Sequence, residues 1–237
     1  LEQALADWFT AEEWTAIALS LKVAAWATLV SLPPGIAVAW LLARRPFPGR
    51  ILLDGLVHLP LVLPPVVTGY ILLILFGRQG PIGKLLAEIG IVLAFNWTGA
   101  VLACAVMAFP LLVRAIRLSL EAVDTRLEQA AGTLGAPPWA VFATITLPLA
   151  LPGVVAGAIL CFAKALGEFG ATITFVSNIP GVTQTLPSAI YSHLQVPGGD
   201  GPALRLTLVS AAIAIIALVA SELLARRVRR RVEGADA

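Results

Sequence analysis

The residues able to do chemistry in this chain are few and scattered. Lys164 and Glu168 stand one helical turn apart inside an apolar block, and Asp54 and His58 share another. An intramembrane enzyme would need paired carboxylates, a His/Glu metal cluster, or a Ser/His or Ser/Lys dyad facing a cavity. Asp54, His58 and Glu168 show no such spacing, so neither a catalytic nor a metal site is expected. Cys104 and Cys161 fall inside apolar stretches and read as small core residues rather than as a disulfide or ligand pair. The run from Gly77 to Lys84 approaches a phosphate-binding loop. It has five residues between its outer glycines where that loop has four, and Leu85 replaces the Ser/Thr that would hold Mg²⁺. The chain therefore carries no nucleotide site of its own.

Lys164 and Glu168 have two readings. Ionisable residues inside a membrane are functional candidates by default, but a Lys and a Glu four residues apart also neutralise each other as a structural pair. The structural pair is the weightier reading. A path through a membrane is better lined by small polar groups than by a strong fixed charge. Thr172, Thr174, Ser177 and Asn178 fit that description at the outer end of the same block. Lys22 reads as a snorkelling side chain and His58 as hydrogen-bonded packing.

What must position these groups is lipid-embedded helix. The 237 residues are 59% hydrophobic and 13% charged, with mean hydropathy +0.91. Ordinary soluble domains are about 45–50% apolar and about 25% charged. Five spans are expected at roughly 14–43, 51–77, 91–113, 146–176 and 204–225. The acidic start, with Glu2, Asp7, Glu12 and Glu13, argues against a cleavable signal peptide, so the first block stays in the membrane. Basic residues gather at one side: Arg44, Arg45 and Arg50, then Arg114, Arg117 and Arg126, then the Arg226–Arg231 tail. The other side has Arg78, Lys84 and Arg205. The positive-inside rule puts the N-terminus outside, and the C-terminus and the 114–145 loop in the cytoplasm. The tail reads as a stop-transfer anchor rather than a nucleic-acid contact. Pro33-Pro34, Pro64-Pro65, Pro110 and Pro152 interrupt the spans, as do Gly69, Gly153, Gly157, Gly167 and Gly170. Such breaks persist where neighbouring helices or a water-filled cavity satisfy the freed backbone, which favours a gated pathway. Gly153-xxx-Gly157 also permits close helix approach.

The loop from Glu121 to Pro148 is too long and too patterned for a simple connection. Leu120, Val123, Leu127, Ala130/Ala131 and Leu134 recur at spacings of three and four, describing one helical face. Gly135 suits the helix C-terminus, and Ala136-Pro137-Pro138 turns the chain into a second short helix around Trp139–Phe142. Glu121, Asp124, Glu128 and Gln129 form the polar face, which suits a protein groove better than a lipid surface, where Lys and Arg would be favoured.

This loop resembles the EAA loop of bacterial ABC-importer permeases: an EAA triplet, a glycine four residues after its last alanine, then I-x-L-P. The matching residues are Ala130, Ala131, Gly135, Ile145, Leu147 and Pro148; the family's glutamate position holds Gln129, with Glu128 one residue earlier. The resemblance implies an all-α membrane protein of the type I (MetI-like) fold, about five transmembrane helices in a single permease domain spanning residues 1–237. It implies that Glu128, Gln129, Ala130, Ala131 and Gly135 couple to a cytoplasmic ATPase. ATP and Mg²⁺ would bind that partner, and no cofactor this chain.

A narrower resemblance, to the molybdate branch, lies in Gly167-Glu-Phe-Gly-Ala-Thr-Ile-Thr-Phe-Val-Ser-Asn-Ile-Pro-Gly181, Thr185-Leu-Pro-Ser-Ala-Ile-Tyr191 and Gln195-Val-Pro-Gly-Gly199. Pro60-Leu-Val-Leu-Pro-Pro-Val-Val-Thr-Gly-Tyr70 and Gly80-Pro-Ile-Gly83 agree with it. It implies import of molybdate or its analogue tungstate, a homodimer, two ATPase subunits, and a periplasmic or surface-anchored oxyanion-binding protein. The setting would be a bacterial or archaeal cytoplasmic membrane. Sulfate permeases carry related sequence, so sulfate or thiosulfate is the alternative cargo. An ion-coupled secondary carrier would show internal repeats and need no docking loop; no repeat is visible.

Overall fold

A computed structural model describes residues 8–233, all helix and loop with no strand among them. Glu2 and Asp7 lie outside the described residues, as do the side chains of the Arg226–Arg231 tail. Helix α1 (Ala11–Arg44) is opened by a capping box, in which the Thr10 N–H donates to Glu13 and the Glu13 N–H to Thr10. It passes Pro33 and Pro34 without a break.

The expected 51–77 span is instead two helices, α2 (Arg50–Val62) and α3 (Pro65–Phe76), bent by 114°. Proline forces its predecessor out of helical geometry, and both Leu63 and Pro64 are extended, at ψ 142° and 134°. After α4 (Pro81–Glu88), residues up to Asn96 are irregular, with Gly90 and Phe95 at positive φ. Helix α5 (Trp97–Ala122) therefore begins and ends later than the expected 91–113.

The loop supplies α6 (Thr125–Thr133) and α7 (Pro138–Val141). A π-helical segment (Phe142–Thr146) then leads into α8 (Leu147–Leu166). Pro148 has no N–H and crowds the carbonyl four residues back, and the wider turn just before it relieves that crowding. The expected 146–176 span breaks at Gly167–Phe169, after which the chain resumes as α9 (Gly170–Val176). Helices α10 (Leu186–Leu194) and α11 (Asp200–Glu233) complete the chain.

Among the described residues, four segments are long and apolar enough to cross a membrane: α1, α5, Pro138–Leu166 and Asp200–Leu224. Direction decides the fifth. Lys22 of α1 stands 3.7 Å over the ring of Trp97 at the start of α5, and Arg44 at the end of α1 bonds the Val123 carbonyl just past α5. The two helices are therefore parallel. The chain between them must return across, so the bent α2–α3 pair belongs to a fifth crossing. By the same logic α8 is antiparallel to α5, since Cys104 donates to Ala165 at one end and Ser119 to Ala150 at the other. The Arg205–Glu13 ion pair, at 2.9 Å, fixes the start of α11 to the start of α1.

Helix α5 is the hub, and small residues let its neighbours close in. Ala100, Ala103 and Cys104 are buried with Ala24 and Ala27 in one cluster, and Ala108 and Leu112 with Ala39 and Leu42 in another. Gly153 and Gly157 are the expected close approach: a β-carbon at Gly153 would collide with Ser119, and one at Gly157 would sit 3.1 Å from the Leu112 carbonyl.

Candidate functional site

The single helical face from Leu120 to Leu134 is not formed. Helix α5 ends at Ala122, Val123 is extended, and Asp124 begins a new helix by accepting the Arg126 N–H at 2.9 Å. The apolar set is thereby divided. Leu120 and Val123 are buried in the transmembrane core, whereas Leu127 is 49% and Leu134 88% exposed. No residue of α6 is buried. A short helix with its leucines in the open is a candidate docking surface.

Gly135 ends α6 as expected, and its φ of +87° shows why glycine suits that place. The Ala136 N–H bonds the Ala131 carbonyl at 3.1 Å and the Gly135 N–H bonds Gly132 at 3.0 Å, a Schellman closure. Pro137 and Pro138 then redirect the chain into α7. Glycines 132 and 135 have open space where a β-carbon would be.

Glu128 does not belong to an outward polar face. Its carboxylate accepts Arg44 Nη2 at 3.0 Å and the Thr146 hydroxyl at 2.7 Å, so it fastens α6 to the end of α1 and to the π segment. Gln129, in the family's acidic position, is exposed. In the sequence Arg44 stands out only as a topology marker, and Thr146 does not stand out at all. Nothing in local spacing links residues 44, 128 and 146. Glu121 is likewise engaged: Arg117 donates to it at 2.8 Å and to Asp54 at 3.0 Å. His58 Nδ1 lies 2.8 Å from the Asp54 carbonyl, the packing role expected of it.

Lys164 and Glu168 form an ion pair at 2.8 Å, with the glutamate side chain 1% exposed. The second Glu168 oxygen accepts the Ala171 N–H at 3.1 Å. The pair thus spans the break between α8 and α9 and satisfies backbone freed there. The Thr172 and Thr174 hydroxyls bond the carbonyls of Phe169 and Gly170. Asn178 donates to Ser192 at 2.6 Å, and Ser177, at φ 65°, is exposed.

Two interrupted segments far apart in sequence meet here. A β-carbon on Gly69 of α3 would sit 2.5 Å from the Ala171 carbonyl of α9, and one on Gly170 would sit 2.7 Å from Pro65. Thr68, buried at this seam, has a hydroxyl with no partner among the described residues. Among those residues no group of three His, Cys, Asp or Glu could hold a metal ion.

The family model described as the binding-protein-dependent transport system inner membrane component matches residues 35–230. The molybdenum transport system permease protein ModB of Escherichia coli (strain K12) is 62% identical over 223 residues, 94% of this chain and 97% of the relative. ModB of Haemophilus influenzae is 58% identical over 221 residues, 93% and 96% of the two chains. In fold, the chain matches a crystal structure of a bacterial ABC transporter involved in the import of the acidic polysaccharide alginate. The TM-score is 0.73 at 16% identity, covering 96% of this chain and 83% of that one.

Proposed function

Since the chain belongs to the family of binding-protein-dependent transport system inner membrane components, we propose that it is the membrane-spanning subunit of an ATP-driven importer whose cargo is molybdate. The observation that carries this reading is the near-full-length identity to molybdenum permeases at 62% and 58%. It covers both the docking loop and the two interrupted segments that meet at the α3–α9 seam.

The chain works as a homodimer with two cytoplasmic ATPase subunits, which bind ATP and Mg²⁺, and receives cargo from a periplasmic or surface-anchored oxyanion-binding protein. Its N-terminus is outside and its C-terminus cytoplasmic, in a bacterial or archaeal inner membrane. The exposed α6, carrying Gln129, Ala130, Ala131 and Gly135, sits in a groove of the ATPase. Closure of the ATPase pair displaces α6. Glu128 passes that displacement to α1 through Arg44 and to α8 through Thr146, because both bonds must move with the helix. The spans then exchange inward-open and outward-open arrangements, with differential contacts in the two states setting the coupling. The Lys164–Glu168 pair holds the α8–α9 break in shape. The residues after it, Thr172, Thr174, Ser177 and Asn178, offer small polar groups along the path, whose weak and multiple contacts allow release.

The test is uptake into vesicles holding the permease, its ATPase and a matched binding protein. Labelled molybdate should accumulate with ATP, and sulfate at least about tenfold less, a difference of roughly 1.4 kcal/mol. Equal accumulation of sulfate would remove the cargo assignment while leaving the permease one.

A further inference from the structure

Two clefts on the basic side of the molecule share a wall. The first is an apolar groove of about 480 Å³ that follows α1 from Pro33 to Trp40, with Trp139 and Phe142 on its far side. The second, of about 410 Å³, opens between the end of α1 and α6 and presents Arg44, Arg45 and Gln129. Trp40, Arg45, Pro138 and Phe142 line both, so together they make one elongated site, apolar at one end and cationic at the other.

Its charge is unbalanced. Arg44 and Glu128 pair with each other, whereas Arg45 is exposed and makes no ion pair among the described residues. The Arg45 guanidinium rests 5.5 Å from the Trp40 ring. The cleft therefore holds one positive charge in excess, on Arg45.

Its depth is that of one leaflet. From Pro33 to Arg44 the helix rises about 16 Å, roughly half of the ~30 Å hydrocarbon core. The groove thus lies within the apolar span and opens at the surface of the chain. The arginines lie at the surface, and Trp40, Trp139 and Phe142 at the level where aromatic side chains meet headgroups. A protein knob would engage the cationic mouth but has no use for a channel running into the bilayer. We propose that this composite cleft holds one anionic phospholipid, its phosphate on Arg45 and an acyl chain along Pro33–Trp40. Basic pockets of this kind, on one face of a membrane helix, suit anionic headgroups. The lipid would seat against the Arg44–Glu128 bond, so the membrane itself would brace the joint between α1 and α6. This inference rests on the membrane placement of α1 and not on the cargo.

The full chain, delipidated in neutral detergent, is titrated with phosphatidylglycerol, with phosphatidylcholine of the same acyl chains, and with inorganic phosphate, and bound species are counted by native mass spectrometry. One phosphatidylglycerol per chain should be retained at least about tenfold more tightly than phosphatidylcholine. Arg45→Gln should bring the two lipids level, and Ala37→Trp, which fills the groove at an exposed position, should weaken both. Arg78→Gln, exposed and remote, should change nothing. Equal binding of the two lipids by the unaltered chain would overturn the proposal, as would competition by inorganic phosphate at the same concentration as the lipid. So would an Arg45→Gln chain that loses its ATPase partner yet keeps phosphatidylglycerol, since the cleft would then be a protein contact.

Discussion

Glu128 joins three elements with one carboxylate. It accepts from Arg44, whose side chain is only 13% exposed, and from Thr146, which is buried, so neither donor has ready access to water if the acceptor is removed. Stranding a buried donor costs about 1–3 kcal/mol, more when it is charged. Glu128→Ala should therefore lower stability in detergent by an amount in that range. In the assembled transporter it should weaken the dependence of ATP turnover on loaded binding protein. Gln129→Ala, one residue on and exposed, should stay within about 0.5 kcal/mol of the parent. Chemical denaturation of the two variants side by side is the check; equal losses would mean that the acidic partner of Arg44 is not what anchors α6.

At the scale of elements, helices run unbroken through Pro33-Pro34, Pro110 and Pro152 and through Gly69, Gly153 and Gly157, contrary to expectation, because a packed neighbour tolerates the lost bond. Hydropathy located the crossings because bilayer thickness sets a minimum length for an apolar run, and Pro64-Pro65 and Gly167–Gly170 marked interruptions. Which interrupted segments face each other is long-range information, and residues 69 and 171 carry no local trace of their contact. Helix α6 shows a different limit: the spacing of three and four predicts one helix, but Asp124 is a better N-cap than a helix interior residue, and its capping splits the pattern between core and surface. The α3–α9 seam makes a direct prediction. Gly69→Ala would place a methyl group 2.5 Å from the Ala171 carbonyl, which is backbone and cannot swing away. Overpacking of this kind costs about 1–3 kcal/mol, and transport should fall with it. Gly55→Ala, in α2 with nothing within 4 Å, should instead be neutral or gain up to about 1 kcal/mol of helix propensity. Thermal melts of both in the same detergent separate the two. An intact Gly69→Ala protein would show that the half-helices do not pack as closely as the seam requires.

For the whole molecule, the parallel course of α1, α5 and α11 against α8 puts the Arg44, Arg117 and Arg126 ends together and the Glu13–Arg205 end opposite. Helix direction puts these ends at opposite ends of the bundle, and the proposed orientation, with the arginine end cytoplasmic, follows from charge asymmetry. The two native thiols make the question accessible, since Cys104 and Cys161 are both buried and give a membrane-impermeant maleimide almost nothing to label. One cysteine is introduced at Leu134, 88% exposed at the end of α6, and another at Val196, 54% exposed beyond α10 near the Glu12 end. In right-side-out vesicles Val196→Cys should label at once and Leu134→Cys only after permeabilisation. The reverse order would invert the molecule and place α6 where no cytoplasmic ATPase could reach it. Labelling of both before permeabilisation would instead contradict the crossing made by α8, because Pro138–Leu166 is the segment between the two positions that puts them on opposite faces.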